Sequence, residues 1–248
     1  MAPKTRRMRL TRALVDRVMR VDVAPPLPFP AFSDADYDEA VRAIIAGAPA
    51  LDDVWLFAYG SLIWKPGCDV VEQRIGVAHG WHRRFCLGWD RWFRGCDERP
   101  GLMLSLDRGG ECKGVAYRLP PDAVEANLGR LLRREMRVKT RAHSPRWLTI
   151  RTDDGPLRAI AFVINREGGR YVCGLSIEET ADALAIAAGP MGSMAEYLHS
   201  TVQHLEELGI HDRQLWRLQE LVGERLESAA ATGGLPSAAE EATQPADP

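Results

Sequence analysis

The residues with chemical potential begin with a backbone corner. In VWLFAYGSLIWKPG, residues 54–67, six apolar side chains run into Gly60-Ser61, and Leu62, Ile63 and Trp64 follow before a Lys-Pro-Gly stop. Gly60 and the small Ser61 let main-chain N–H groups come close to a bound group. A set of such exposed donors cradles an anion or a developing oxyanion. The apolar residues after the corner would wall that cradle and keep water out, which strengthens each donor. The same residues would serve a plain strand-end turn, and spacing alone leaves both readings open.

Other candidates are weaker. His79-x-x-His82 has the residue types of a metal pair, but strand alternation puts the two side chains on opposite faces, which favours structural histidines. The run RLLRREMRVKTRAHSPR (130–146) holds seven basic residues and would suit an anion or RNA. It lacks interleaved aromatics, so a solvated face is the better reading and no nucleic acid partner is expected. Glu135 sits in this run and reads, on residue type alone, as a salt-bridged surface residue. Walker A, GxGxxG, HExxH and GxSxG sequences are all missing, which argues against ATP, dinucleotide, zincin and common serine-hydrolase chemistry.

The elements that must hold the corner come next. Strands are expected at 54–59, about 70–78, 82–88, 101–106, 112–119, 146–151 and 158–164. LDRGGE (106–111) and TDDGP (152–156) have the Gly/Asp content of hairpin turns, so many neighbours should be antiparallel. PDAVEANLGRLLRRE (121–135) reads as a helix with Val124, Leu128, Leu131 and Leu132 on one face. The last third is helical: Ser176-x-x-Glu179 and Ser193-x-x-Glu196 have capping-box spacing, and Asp212 caps a final helix. Strands followed by helices around one core indicate an α+β domain, and many short strands indicate a small, partly closed barrel.

Residues 1–50 form a preface: a basic, weakly amphipathic segment with Leu10, Leu14 and Val18 at helical spacing, a Pro-rich linker, and a short helix that Ser33 or Asp34 can cap. A surface helix packed on the domain is expected of the basic segment; a transit peptide is the alternative. The domain is expected over 51–227, followed by an Ala/Glu/Pro-rich tail at 228–248 with too few large apolar residues to order.

The 248 residues are 46% apolar and 27% charged with a net charge of −2, which gives no global pull toward nucleic acid or an anionic membrane. No apolar run approaches the roughly 20 residues that span a bilayer. Five cysteines without a CxxC pair fit free thiols in a reducing cytoplasm.

Tyr59-Gly60-Ser61-Leu62-Ile63-Trp64 resembles the YGSL signature of the gamma-glutamylcyclotransferase superfamily, and specifically its ChaC-type, glutathione-specific branch. GWHRRFCL (80–87), PGLMLSL (100–106), GVAYRLP (114–120), RREM (133–136) and AAGPMGSMAEYL (187–198) follow in the order that ChaC-like proteins show. The resemblance covers about residues 53–226. It implies a small mixed β-barrel with surrounding helices and a substrate cavity. It also implies a lyase reaction that cuts glutathione into 5-oxoproline and cysteinylglycine without cofactor or metal. Such chemistry suits a chain with no activated nucleophile, because the γ-glutamyl group carries its own, the α-amine.

Carried over from the family, the catalytic acid/base is Glu135, and Ala58 with Tyr59, Gly60, Ser61, Leu62 and Ile63 would hold the γ-glutamyl head group. Glu135 should then be partly buried with a raised pKa, and Arg133, Arg134 and Arg137 should point outward. Tyr197 is either a substrate contact or a buried helix–barrel contact. A basic residue near 137–141 would meet the glycine carboxylate. Two departures stand out: Ala58 where relatives often have Gly, and Met194 where the GPxGxN pattern carries Asn. Alternatives to the glutathione reading are a cyclotransferase for other γ-glutamyl amides or amines, and an inactive small-molecule-binding relative.

Overall fold

The apolar run ahead of the corner folds as a strand buried along its whole length. This strand, β1, spans Trp55–Ala58 and its four residues are all buried. The computed structural model describes residues 6–18, 25–140 and 142–232. Before β1 come α1 (Arg12–Val15) and α2 (Asp34–Ala46); after it come β2 (Glu72–Asp90), β3 (Gly101–Arg118), α3 (Val124–Glu135), β4 (His143–Thr152) and β5 (Gly155–Ile164). The chain continues as α4 (Ile177–Ile186), the short pair β6 (Ala188–Gly189) and β7 (Gly192–Ser193), α5 (Met194–Glu207) and α6 (Arg213–Ala231).

Five strands close a barrel in the order β1-β3-β2-β4-β5, with β5 also pairing β3. β1 runs antiparallel to β3 and parallel to β5, so the barrel is mixed, as expected. β4 and β5 form the hairpin anticipated at 152–156, with Thr152 opposite Gly155. The other anticipated turn, at 106–111, is a correction. Residues 101–118 form one continuous strand, and Gly109 (φ 105°) and Gly110 (φ 66°) occur within it. Positive φ at two glycines lets the strand bend where a side-chain-bearing pair would have to turn. Gly114 answers a different need: a Cβ there would lie 2.5 Å from the Ala58 carbonyl oxygen, so glycine allows β3 to press against β1 just before the corner.

The chain divides into two compact units. The barrel unit comprises Leu27–Leu87 and Leu104–Tyr171, and so contains the corner, α2, α3 and the β4–β5 hairpin. In it α3 buries Val124, Leu128, Leu131 and Leu132, the face read from the sequence. The helical unit comprises Gly88–Met103, Val172 onward, and the N-terminal residues to Pro26. There Leu10 and Val18 are buried beside α1, the α4 capping box forms, and Asp212 caps α6. Ser193 accepts from the Glu196 N–H at 3.0 Å, but the reciprocal half of that box is replaced by pairing of Glu196 with Arg94 and Arg12. α6 continues to Ala231, and the tail from 233 lies outside the described residues. None of the helices described is long and apolar enough to cross a membrane.

Candidate active site

The corner is a turn of 3-10 helix. Ser61–Ile63 follow Gly60, the Ile63 N–H donates to the Gly60 carbonyl at 2.9 Å, and the Lys65 N–H donates to the Ser61 carbonyl at 3.0 Å. This bonding leaves the first N–H groups of the turn without an intrahelical acceptor. Among the described residues the N–H groups of Gly60, Ser61 and Leu62 make no protein hydrogen bond. Leu62 and Ile63 are buried beneath them, and Ala58 is fully buried in the ladder opposite Val115. Two phenols fix the loop from either side. Tyr59 donates to the Phe162 carbonyl at 2.8 Å, and Tyr117 donates to the Ile63 carbonyl at 3.0 Å. The surroundings are dry: burial raises the Tyr117 phenol and pushes the Cys68 thiol up to about 11.

Glu135 is the last residue of α3, and its side chain is 21% exposed. Burial raises its pKa above the ordinary glutamate value, and the Arg134 charge opposes that rise without cancelling it. Arg134 corrects the expectation that the neighbouring guanidinium groups all face outward. Its Nε lies 3.1 Å from Glu135 Oε1 and its Nη2 donates to Ser61 Oγ at 3.0 Å, while Nη1 donates to the Lys65 carbonyl. One planar cation therefore joins the carboxylate to the corner, a geometry that the five fixed donors of arginine favour. Arg133 does turn away, pairing with Asp34 and stacking on Tyr37.

His143 has no signal in the residues around it. It opens β4, its ring packs edge-on to Phe162 with centroids 5.9 Å apart, and the Glu135 carbonyl faces it. Burial brings its pKa down to about 4, so it is neutral near pH 7 although that carbonyl works in the opposite direction. Of the basic residues near 137–141, Lys139 pairs with Asp36 at 2.7 Å, and Arg141 lies outside the described residues. Tyr197 belongs to the helical unit. There it is buried in α5 with the Arg94 guanidinium 5.3 Å above its ring, and its carbonyl accepts from the Thr201 hydroxyl at 2.7 Å. Met194 opens α5, which keeps its cap through Ser193. Among the described residues no group of three or more His, Cys, Asp or Glu gathers in a way that would hold a metal ion.

Three parts thus meet at one edge of the barrel unit: open main-chain donors, a carboxyl with raised proton affinity, and an arginine that spans them. Together they can stabilise negative charge on a carbonyl oxygen and move a proton beside it.

The sequence profile of the ChaC-like protein family matches residues 54–225. The glutathione-specific gamma-glutamylcyclotransferase of Escherichia coli is 39% identical over 174 residues, covering 70% of this chain and 74% of that protein. The human glutathione-specific gamma-glutamylcyclotransferase 1 is 30% identical over 180 residues, covering 70% of this chain and 80% of that protein. Among solved structures, a yeast gamma-glutamyl cyclotransferase specific to glutathione superposes with a TM-score of 0.62 at 21% identity, covering 70% of this chain and 96% of that one, a likeness of fold. With the profile spanning the corner, the whole barrel and the helices after it, the chain belongs to the ChaC-like family.

Proposed function

We propose that this protein is a glutathione-specific gamma-glutamylcyclotransferase, with its catalytic domain over residues 51–227 and Glu135 as acid/base. The observation that carries the reading is the junction at Arg134, which ties a carboxyl of raised pKa to a corner with open N–H groups. Relatives named for this activity, from bacteria to vertebrates, support the substrate.

In this reaction the substrate supplies its own nucleophile. Ionised Glu135 takes a proton from the α-ammonium group of the γ-glutamyl residue, and the freed amine attacks the γ-carbonyl. A C–N bond forms that closes a five-membered ring, and the carbonyl oxygen gathers negative charge. The N–H groups of Gly60, Ser61 and Leu62 meet that charge. As the carbonyl re-forms, the old amide C–N bond breaks and Glu135 gives its proton to the departing nitrogen of cysteinylglycine. The extra proton still on the ring nitrogen then passes by way of Glu135 to the released amine, which leaves as an ammonium group. No water is consumed, and 5-oxoproline is the second product. Arg134 opposes the rise that burial gives the Glu135 pKa, and so favours the ionised form that accepts the proton. Five cysteines that form no disulfide suit a reducing cytoplasm as the place of action.

The test is purified protein with glutathione, with 5-oxoproline and cysteinylglycine measured by chromatography. Stoichiometric formation of both supports the reading. Products from other γ-glutamyl amino acids but none from glutathione would move the assignment to another γ-glutamyl amide.

A further inference from the structure

Residues 29–38 precede the stretch matched by the family profile, 54–225, and the reaction above gives them no task. Yet they bind the few residues that follow Glu135 at several points. The Phe32 N–H donates to the Arg137 carbonyl at 3.3 Å, and the Lys139 N–H donates to the Pro30 carbonyl at 2.9 Å. Between those bonds Ala31 lies opposite Val138 as an antiparallel bridge. Tyr37 donates its hydroxyl to the Met136 carbonyl at 3.1 Å. Asp36 pairs with Lys139, and Asp34 with Arg133. The rings of Phe32 and Tyr37 stack at 5.3 Å, and the Arg133 guanidinium lies 4.6 Å over Tyr37.

These contacts fall where α3 stops supporting itself. Met136 has left the helix, with φ −124° and ψ 62°. An irregular segment must find partners for its backbone groups elsewhere, and residues 29–38 provide them for Met136, Arg137 and Lys139. Were this segment free, the backbone carrying Glu135 would fray from its C-terminal side, and the carboxyl would swing relative to Ser61. Proton transfer tolerates little of that, since a displacement of about 1 Å can cost roughly a hundredfold in rate.

The geometry points to residues 29–38 as a strap that belongs to the active site, in which Tyr37 and Asp36 are positioning residues for the Glu135 carboxylate. This rests on the reading of Glu135 as acid/base. Plain docking of α2 on the barrel would instead make the same residues matter to stability and leave turnover per folded molecule unchanged.

Tyr37→Phe in the full-length chain separates the two. It keeps the ring stack and removes one hydrogen bond, worth about 1 kcal/mol, so kcat should fall about three- to tenfold. KM should stay within about twofold of wild type, because ground-state binding is untouched. Amide exchange at Met136 and Arg137 should quicken. As a second arm, Asp36→Lys and Lys139→Asp should each lower kcat. The two together should restore the part that their pairing carries, while the acceptor that Asp36 gives the Ser33 N–H at the start of α2 stays lost. Unchanged kcat in both Tyr37→Phe and Asp36→Lys overturns the strap. Failure of the wild type to act on glutathione counts against the functional reading alone. The strap is then judged by exchange, and unaltered rates at Met136 and Arg137 in the two variants overturn it.

Discussion

Glu135 and Asp107 are carboxylates beside arginines in the same barrel unit, and their proton affinities are shifted in opposite directions. The Asp107 side chain is 1% exposed. Burial alone would raise its pKa, but it accepts from Arg166 at 2.6 Å, from the Tyr171 hydroxyl at 2.8 Å and from the Arg108 N–H at 2.8 Å. Those donors outweigh burial, and its pKa falls below the ordinary aspartate value. Glu135 is more open at 21% exposure, but Arg134 divides its donors among Glu135, Ser61 and the Lys65 carbonyl. Burial wins there and the pKa rises. The number of donors committed to the charged form, more than depth, separates a carboxylate that holds structure from one that carries protons.

The sharpest way to break this contrast is to remove each charge. Glu135→Gln should lower kcat at least about a hundredfold with little effect on the melting temperature, as expected when a general base is lost. Asp107→Asn should do the reverse: about 1–3 kcal/mol of stability is lost through donors left badly matched, while kcat per folded molecule stays within about twofold. Activity assays and denaturant titrations on both variants check this, and equal turnover by Glu135→Gln would remove that residue from its role.

His143 extends the contrast to pH. Its folded-state pKa of about 4 lies below the ordinary histidine value, so the unfolded chain binds the proton more readily between those limits. Stability from this group is therefore lost as pH falls from about 6.5 toward 4, on the order of 2 kcal/mol. Glu135 has the opposite sign: its raised pKa costs stability as pH rises through the folded value. His143→Gln should flatten the acid side of the stability curve, measured by urea unfolding across pH. A smaller effect is expected of Arg134→Ala. Without the opposing charge the Glu135 pKa rises further, so the acid limb of kcat/KM moves to higher pH and kcat drops about tenfold as the corner loosens. Arg134→Lys should recover part of the limb's position but little of kcat, since one ammonium cannot span the same three acceptors.

How much of this was legible in the residues depends on the range of the contacts. The corner was readable because a buried strand running into Gly60-Ser61 is a local pattern, and the α3 face was readable from its periodicity. Glu135 was visible only through its resemblance to a known motif, because in the RRE run it looks like any surface ion-pair residue, and it does pair with Arg134. The inward turn of Arg134 has no local signal: its partner Ser61 is 73 residues away. The 106–111 segment misled because glycines that permit a turn also permit a bend within a paired strand. His143 and the strap at 29–38 depend on what the barrel brings beside α3, and no spacing in the sequence encodes that.

The most direct test is a carbon-13 NMR titration of both carboxyl groups on the intact protein. The account predicts a Glu135 midpoint above the ordinary value of about 4.3 and an Asp107 midpoint below about 3.9. A Glu135 carboxyl titrating at or below the ordinary value would contradict it.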